Sequence, residues 1–121
     1  MLCHCGDCKR LSGSMFAMHY PIPGANFTIT AGEPKVHNFK HPTGVVTAAS
    51  FCPDCGTWLF KKVEADPYRD YFLVQAGTTD LEPGMEAEGY WTRTKPVVEL
   101  WISHRAAWLA PVEGAEQKMQ F

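Results

Sequence analysis

Cys3-His4-Cys5-Gly6-Asp7-Cys8-Lys9-Arg10-Leu11-Ser12-Gly13-Ser14 places three thiols in the pattern C-x-C-x-x-C, and Phe51-Cys52-Pro53-Asp54-Cys55-Gly56-Thr57 adds a C-x-x-C. These two clusters hold all five cysteines of the 121-residue chain. Closely spaced thiols bind metal or exchange electrons more often than they form structural disulfides where the surroundings are reducing. A C-x-x-C turn brings two sulfurs to one ion, and a glycine after its second cysteine, here Gly56, suits the positive φ that such a knuckle needs.

Outward from these knuckles, short β-forming segments alternate with Gly/Pro turns. The pattern predicts strands over Met15–Tyr20, with Phe16, Met18 and Tyr20 on one face, and over Asn26–Thr30, Lys35–Lys40, Val45–Phe51, Trp58–Val63, Tyr71–Ala76 and Val97–Ile102. Pro21-Ile22-Pro23-Gly24 reads as a break, and Lys9–Ser14 as a polar or single helical turn ended by Ser12-Gly13-Ser14. Asp80-Leu81-Glu82-Pro83-Gly84 reads as a turn and 85–93 fits no single pattern. His104–Ala110 suggests one or two helical turns, and the tail from Pro111 looks extended or loose. The fold class expected is mainly β and mostly antiparallel, in a single domain over 1–121.

Composition narrows the function. The net charge of −2 and the absence of a basic stripe speak against nucleic acid. No apolar run approaches the roughly 20 residues of a membrane helix, and Met1-Leu2-Cys3-His4 lacks the charged and apolar regions of a signal peptide. A cytoplasmic setting is the expectation.

Zinc takes four ligands at tetrahedral corners, with sulfur at about 2.3 Å. Three sulfurs from Cys3, Cys5 and Cys8 would leave one position for water or substrate, which distinguishes a catalytic site from a closed structural one. A thiol in that position loses its proton to the metal's field, and the same ion polarises a carbonyl. Two partitions remain open. Cys3, Cys5 and Cys8 hold a reactive zinc with Cys52 and Cys55 separate, or two thiols of the first cluster join Cys52 and Cys55 in one closed four-thiolate site.

The C-H-C-x-x-C-[RK]-[RK]-x-S-G-S form of Cys3–Ser14 resembles the first signature of the glutathione-dependent formaldehyde-activating enzyme family, which includes centromere protein V. Phe51–Thr57 is similar to its F-C-x-x-C-G-[ST] signature, Ala76-Gly77-Thr78-Thr79-Asp80 to a later turn, and Trp101–Leu109 to its closing motif. The resemblance implies a twisted, mostly antiparallel β-tent and a catalytic-type zinc on Cys3, Cys5 and Cys8. It also implies carbon–sulfur lyase chemistry: reversible addition of the thiol of glutathione, as co-substrate, to formaldehyde or a related small electrophile. Family members carry an earlier C-x-C pair that completes a second zinc site with the later C-x-x-C. No such pair stands before Cys3 here, so Cys52 and Cys55 are expected to form half a metal site and a sheet edge is expected to invite self-association.

Beside the thiols, Lys9 and Arg10 are candidates to offset the charge of a three-thiolate zinc or to hold a glutathione carboxylate. Ser12 and Ser14 are candidates to hydrogen-bond the sulfurs or the substrate, although both also suit a turn. His4 is expected to point away from the metal. His19, His37, His41 and His104 read as exposed or hydrogen-bonded rather than as ligands. Phe16 and Trp58 are the aromatic residues placed to wall a pocket, and Asp7 and Asp54 are first of all turn formers. Two other functional classes compete with the enzyme: a zinc-stabilised β module that only binds a partner, and a dithiol redox protein using Cys52 and Cys55. The missing βαβ pattern weighs against the last.

Overall fold

Alternation between turn signals determines most of the strands. The computed structural model describes residues 1–80, 83–84 and 94–121. Its elements are β1 (Leu2–Cys3), α1 (Gly6–Ser12), β2 (Ala17–Pro23), β3 (Lys35–Lys40), β4 (Val46–Phe51), β5 (Trp58–Val63), β6 (Tyr71–Gln75), β7 (Val98–Leu100) and β8 (Glu116–Lys118). The strands form an eight-stranded sheet in the order β3-β4-β5-β6-β2-β1-β7-β8. The pairing is antiparallel from β3 through to β1, and parallel between β1 and β7 and between β7 and β8. The fold is therefore mainly β with one helix, and β3 and β5 have the bounds that their patterns predict.

Where sequence and structure part, a tertiary contact explains the difference. The expected strand over Asn26–Thr30 does not form. Gly24–Asn26 make a 3-10 turn, and Phe27 then stacks on Phe72 at 4.0 Å between centroids and meets Phe60 edge-on at 4.9 Å. Ring packing, not a hydrogen-bonded ladder, fixes that segment.

The prolines at 21 and 23 do not end β2, which starts two residues later than expected and runs through both. They pair with Leu73 and Tyr71 of β6, while β1 reaches only Ala17 and Met18. Beyond that point β2 is an edge on one side among the described residues, where a missing N–H is tolerated. The buried face at its start is Ala17 and His19, not Phe16, Met18 and Tyr20.

Helical turns over His104–Ala110 are replaced by a single 3-10 turn at Ile102–His104. It follows Trp101, whose left-handed backbone (φ 59°) turns the chain sharply off β7. The tail is not loose. It returns as β8 alongside β7, and Phe121 packs edge-on against Tyr68 and Trp101. The segment 85–93 and two residues of the expected turn before it, 81 and 82, lie outside the described residues.

The core draws on β1, β2, β4, β5, β6 and β7 and on Cys8 of α1. Leu73 and Leu100 are fully buried, with Ala17, Ala49 and Val63 filling the smaller gaps and Cys3, Cys5 and Cys8 contributing to the same cluster. At the other extreme, β3 is exposed along most of its length, and Lys35 and Lys40 at its ends put charge on that edge. Truncating Leu73 to alanine removes a fully enclosed side chain from the central strand. The expected cost is about 2–5 kcal/mol, read as a fall in the urea midpoint with an unchanged slope.

Candidate metal centre

The thiol loop is shaped by the start of α1. Cys5 is the helix N-cap: its backbone is extended, and its sulfur accepts the Cys8 N–H at 3.4 Å. The helix extends to Ser12, and Gly13, at φ 62°, closes it in the left-handed conformation that glycine adopts without steric cost. β1 holds Cys3 between Ala17 of β2 and Leu100 of β7. These constraints bring the sulfurs of Cys3, Cys5 and Cys8 within 4.8 Å of one another, all three residues buried. Three soft donors converging on one point fit a thiophilic divalent cation such as zinc.

The Cys52–Cys55 knuckle stands apart from this group. Its turn is closed by Cys52 N–H to the Thr57 carbonyl (2.9 Å) and Gly56 N–H to the Cys52 carbonyl (3.0 Å), with Gly56 at φ 73°. Cys55 is exposed and Cys52 half-buried. The two knuckles do not gather into one four-thiolate cluster: the first three thiols are buried together, and neither Cys52 nor Cys55 joins them. Hydrogen bonds from the Thr57 hydroxyl and amide, and from the Cys52 thiol, hold the Cys55 thiol below its usual range.

Electrostatics within the first cluster are uneven. S–H donors from Cys3 and Cys8 lower the Cys5 thiol strongly against the opposing effect of burial, assisted by the Cys8 amide and the Lys61 charge. Cys3 is pushed up by the same sulfur contacts and by burial.

Sequence reading missed two of the groups that face these sulfurs. Lys61 is only 5% exposed, and its Nζ donates to the Cys8 sulfur at 3.1 Å while lying 5.6 Å from the Trp58 ring centroid. Burial alone would strip its proton, but the charges of Cys8 and Cys3 outweigh that and hold the ammonium above its ordinary range. His19 is fully buried with Nε2 3.8 Å from the Cys8 sulfur and its ring edge-on to Trp58. Burial, the nearby Lys61 and the N-terminal charge hold it well below its usual range, so it is neutral. The signal for Lys61 was present: in a strand, adjacent residues face opposite ways, so Lys61 and Lys62 cannot both reach water.

A third missed group, Glu99, orients His4. The His4 ring points away from the sulfurs, as expected, and its Nε2 meets Glu99 Oε1 at 3.1 Å, both side chains 1% exposed. The other oxygen of Glu99 accepts from Gln117 Nε2 (2.6 Å), the Val112 amide (3.0 Å) and Arg105 (3.3 Å), and Arg105 also donates to Gln117. Burial pushes the Glu99 carboxyl up, but donors from Gln117, His4 and Val112, with the Arg105 charge, hold it below the usual carboxylate range.

The other sequence candidates divide. Lys9 donates to the His104 carbonyl at 2.6 Å, and the exposed Arg10 pairs with Asp7 at 2.8 Å. Ser12 bonds the Phe16 carbonyl at 2.9 Å, and its oxygen accepts the Ser14 amide at 3.2 Å, so both serines shape the turn. Three adjoining cavities of about 450, 330 and 210 Å³ share Leu11 of α1. The largest is lined by Ser12, Ser14, Phe16, Thr57, Trp58 and Gln75, and the smallest by Arg10, His37 and Lys40 among others. Trp58 joins this groove to the groups on the Cys8 sulfur. His37 therefore lines a cavity, while His41 lies 4.0 Å from Asp7.

Residues 1–104, which include both knuckles and β1 to β7, match the family described as glutathione-dependent formaldehyde-activating enzyme. The chain belongs to that family. Proteins of Aspergillus flavus and Aspergillus oryzae, each named "Putative glutathione-dependent formaldehyde-activating enzyme", are 26% identical to it over 87 residues, and one of the same name from Colletotrichum graminicola is 25% identical. The aligned part is 71% of this chain and 44% of each of those relatives, so the chain spans about half the length of the curated family members it matches. Among the described residues no helix is long and apolar enough to cross a membrane.

The Glu99 geometry sets a pH dependence. Its folded ionisation lies below the unfolded value of about 4.3. The stability it supplies is complete above that value and is lost as pH falls through the lower folded one. The urea midpoint of the wild type is expected to fall more steeply between pH 5 and 3 than that of Glu99→Gln, which has no carboxylate to protonate. Equal slopes would remove Glu99 as the source.

Proposed function

We propose that this chain supports a zinc-dependent carbon–sulfur lyase-type reaction, in which the thiol of glutathione adds reversibly to formaldehyde to give S-hydroxymethylglutathione. The observation that carries this reading is the convergence of three buried sulfurs, linked through Lys61 and His19 to the Trp58 that lines a neighbouring groove. Family membership and the names of the relatives support it. In the reaction the thiol sulfur bonds to the aldehyde carbon, the carbonyl π bond breaks, and the thiol proton ends on the new hydroxyl oxygen.

Cys3, Cys5 and Cys8 would hold the zinc. When bound it would stabilise the substrate as thiolate at neutral pH and polarise the aldehyde. The protein's own groups supply the rest. Trp58, over Lys61 and edge-on to His19, walls the sulfur side of the groove and keeps water from it. Arg10 and Lys40, at the other end, offer positive charge to the carboxylates of glutathione. Ser12 and Ser14 line the part between. We read Cys52 and Cys55 as two ligands of a second, structural metal site, for which their exposed pairing on one knuckle leaves room. A cytoplasmic location and the absence of nucleic-acid and membrane partners belong to the same proposal, as does association of copies through the β3 edge.

Stoichiometric zinc bound by the three thiols and glutathione-dependent consumption of formaldehyde are expected together. Replacing Cys8 by serine should weaken zinc by more than the roughly 10–100-fold that loss of an outer-shell partner costs, and turnover should disappear with the metal. X-ray absorption should give three sulfurs and a lighter atom per zinc at this site. A zinc-replete protein that binds no glutathione by calorimetry would leave the chain a β module that recruits a partner without chemistry.

A further inference from the structure

Lys61 faces an unusual environment for a lysine. Its ammonium is buried among the core strands, its hydrogen bond goes to the Cys8 sulfur at 3.1 Å, and its other close neighbour is the face of Trp58. Among the described residues no carboxylate lies within ion-pair distance of it. An isolated ammonium taken out of water costs too much to persist unless an opposite charge sits beside it. Here that charge can only be on sulfur.

The geometry points to Lys61 as a positioning residue of the thiol centre, one that balances its charge and so favours an anionic sulfur as the fourth ligand of a cation held by Cys3, Cys5 and Cys8. This inference rests on the metal reading given above and extends it to ligand choice. Three thiolates around a divalent cation carry a net charge of −1, and Lys61 brings the assembly to zero. An incoming thiolate then takes it to −1, where without Lys61 it would be −2. A neutral incoming ligand changes the charge in neither case. Lys61 should therefore matter for a thiolate and not for a neutral donor.

Two other features agree with this. Lys9 and Arg10, the cations nearest the thiols in sequence, bond the His104 carbonyl and Asp7 instead. His19, the other nitrogen near the Cys8 sulfur, lies farther from it, at 3.8 Å against 3.1 Å for Lys61. The balancing role thus falls to a side chain on β5, more than fifty positions away in sequence from Cys8.

Cobalt(II), a coloured stand-in for zinc, reports the fourth ligand through its absorption. The cobalt-loaded wild type, Lys61→Met and Lys61→Arg proteins should each be titrated with glutathione and, separately, with imidazole as a neutral donor. Lys61→Met is expected to weaken glutathione binding by about 10–100-fold, the range for outer-shell partners, while imidazole binds as in the wild type. Lys61→Arg, which keeps the charge, should recover most of the glutathione affinity. If Lys61→Met does not fold by circular dichroism, Lys61→Gln serves as the uncharged comparison. Equal weakening of both ligands, or of neither, would overturn the role of Lys61 while leaving the metal reading intact. A wild-type protein that takes up no cobalt would instead overturn the metal reading and this inference with it.

Discussion

Three sulfurs held together away from water impose the constraint that the rest of this structure answers. Thiols gathered within 4.8 Å in a low-dielectric core repel one another as soon as more than one ionises. The fold meets this with a donor or a positive charge at several points. The first turn of α1 gives an amide to Cys5, the strand after the second knuckle gives an ammonium to Cys8, and the polar side of His4 is turned to a carboxylate instead of toward the sulfurs. Lys61 and Glu99 are both far from the thiol loop in sequence. The sheet order, with β1 inserted between β2 and β7, is what brings them to one place.

The same arrangement encloses the sulfurs and sets a groove close by. The sulfurs are buried at the start of α1, and the groove along Leu11 runs past Trp58, which packs against the His19 and Lys61 that face the Cys8 sulfur.

How much of this could be read from the residues depended on whether a feature was local. The knuckles and their glycine were legible because turn geometry is decided within a few positions, and β3 and β5 because alternation is. Asn26–Thr30 misled because its alternation is real but Phe27 finds aromatic rings instead of a neighbouring strand. The prolines of β2 misled because a missing N–H counts only where a partner strand needs it. Lys61, His19 and Glu99 each needed knowledge of which face of a strand meets the thiols. Lys61 beside Lys62, and Glu99 within an apolar run, were nonetheless the residues whose chemistry clashed with their surroundings, and both proved to be buried and paired.

The tail offers a different lesson. Arg105, Val112 and Gln117, which surround Glu99, all lie past the 104 residues that match the family. Through Glu99 and His4 they are two contacts away from the loop carrying Cys3 and Cys5. The part of the chain that matches the family therefore carries the thiols, while residues beyond it hold the carboxylate behind His4. A change at any of the three would reach the thiol loop from behind, through Glu99 and His4, without altering a single residue of its motif.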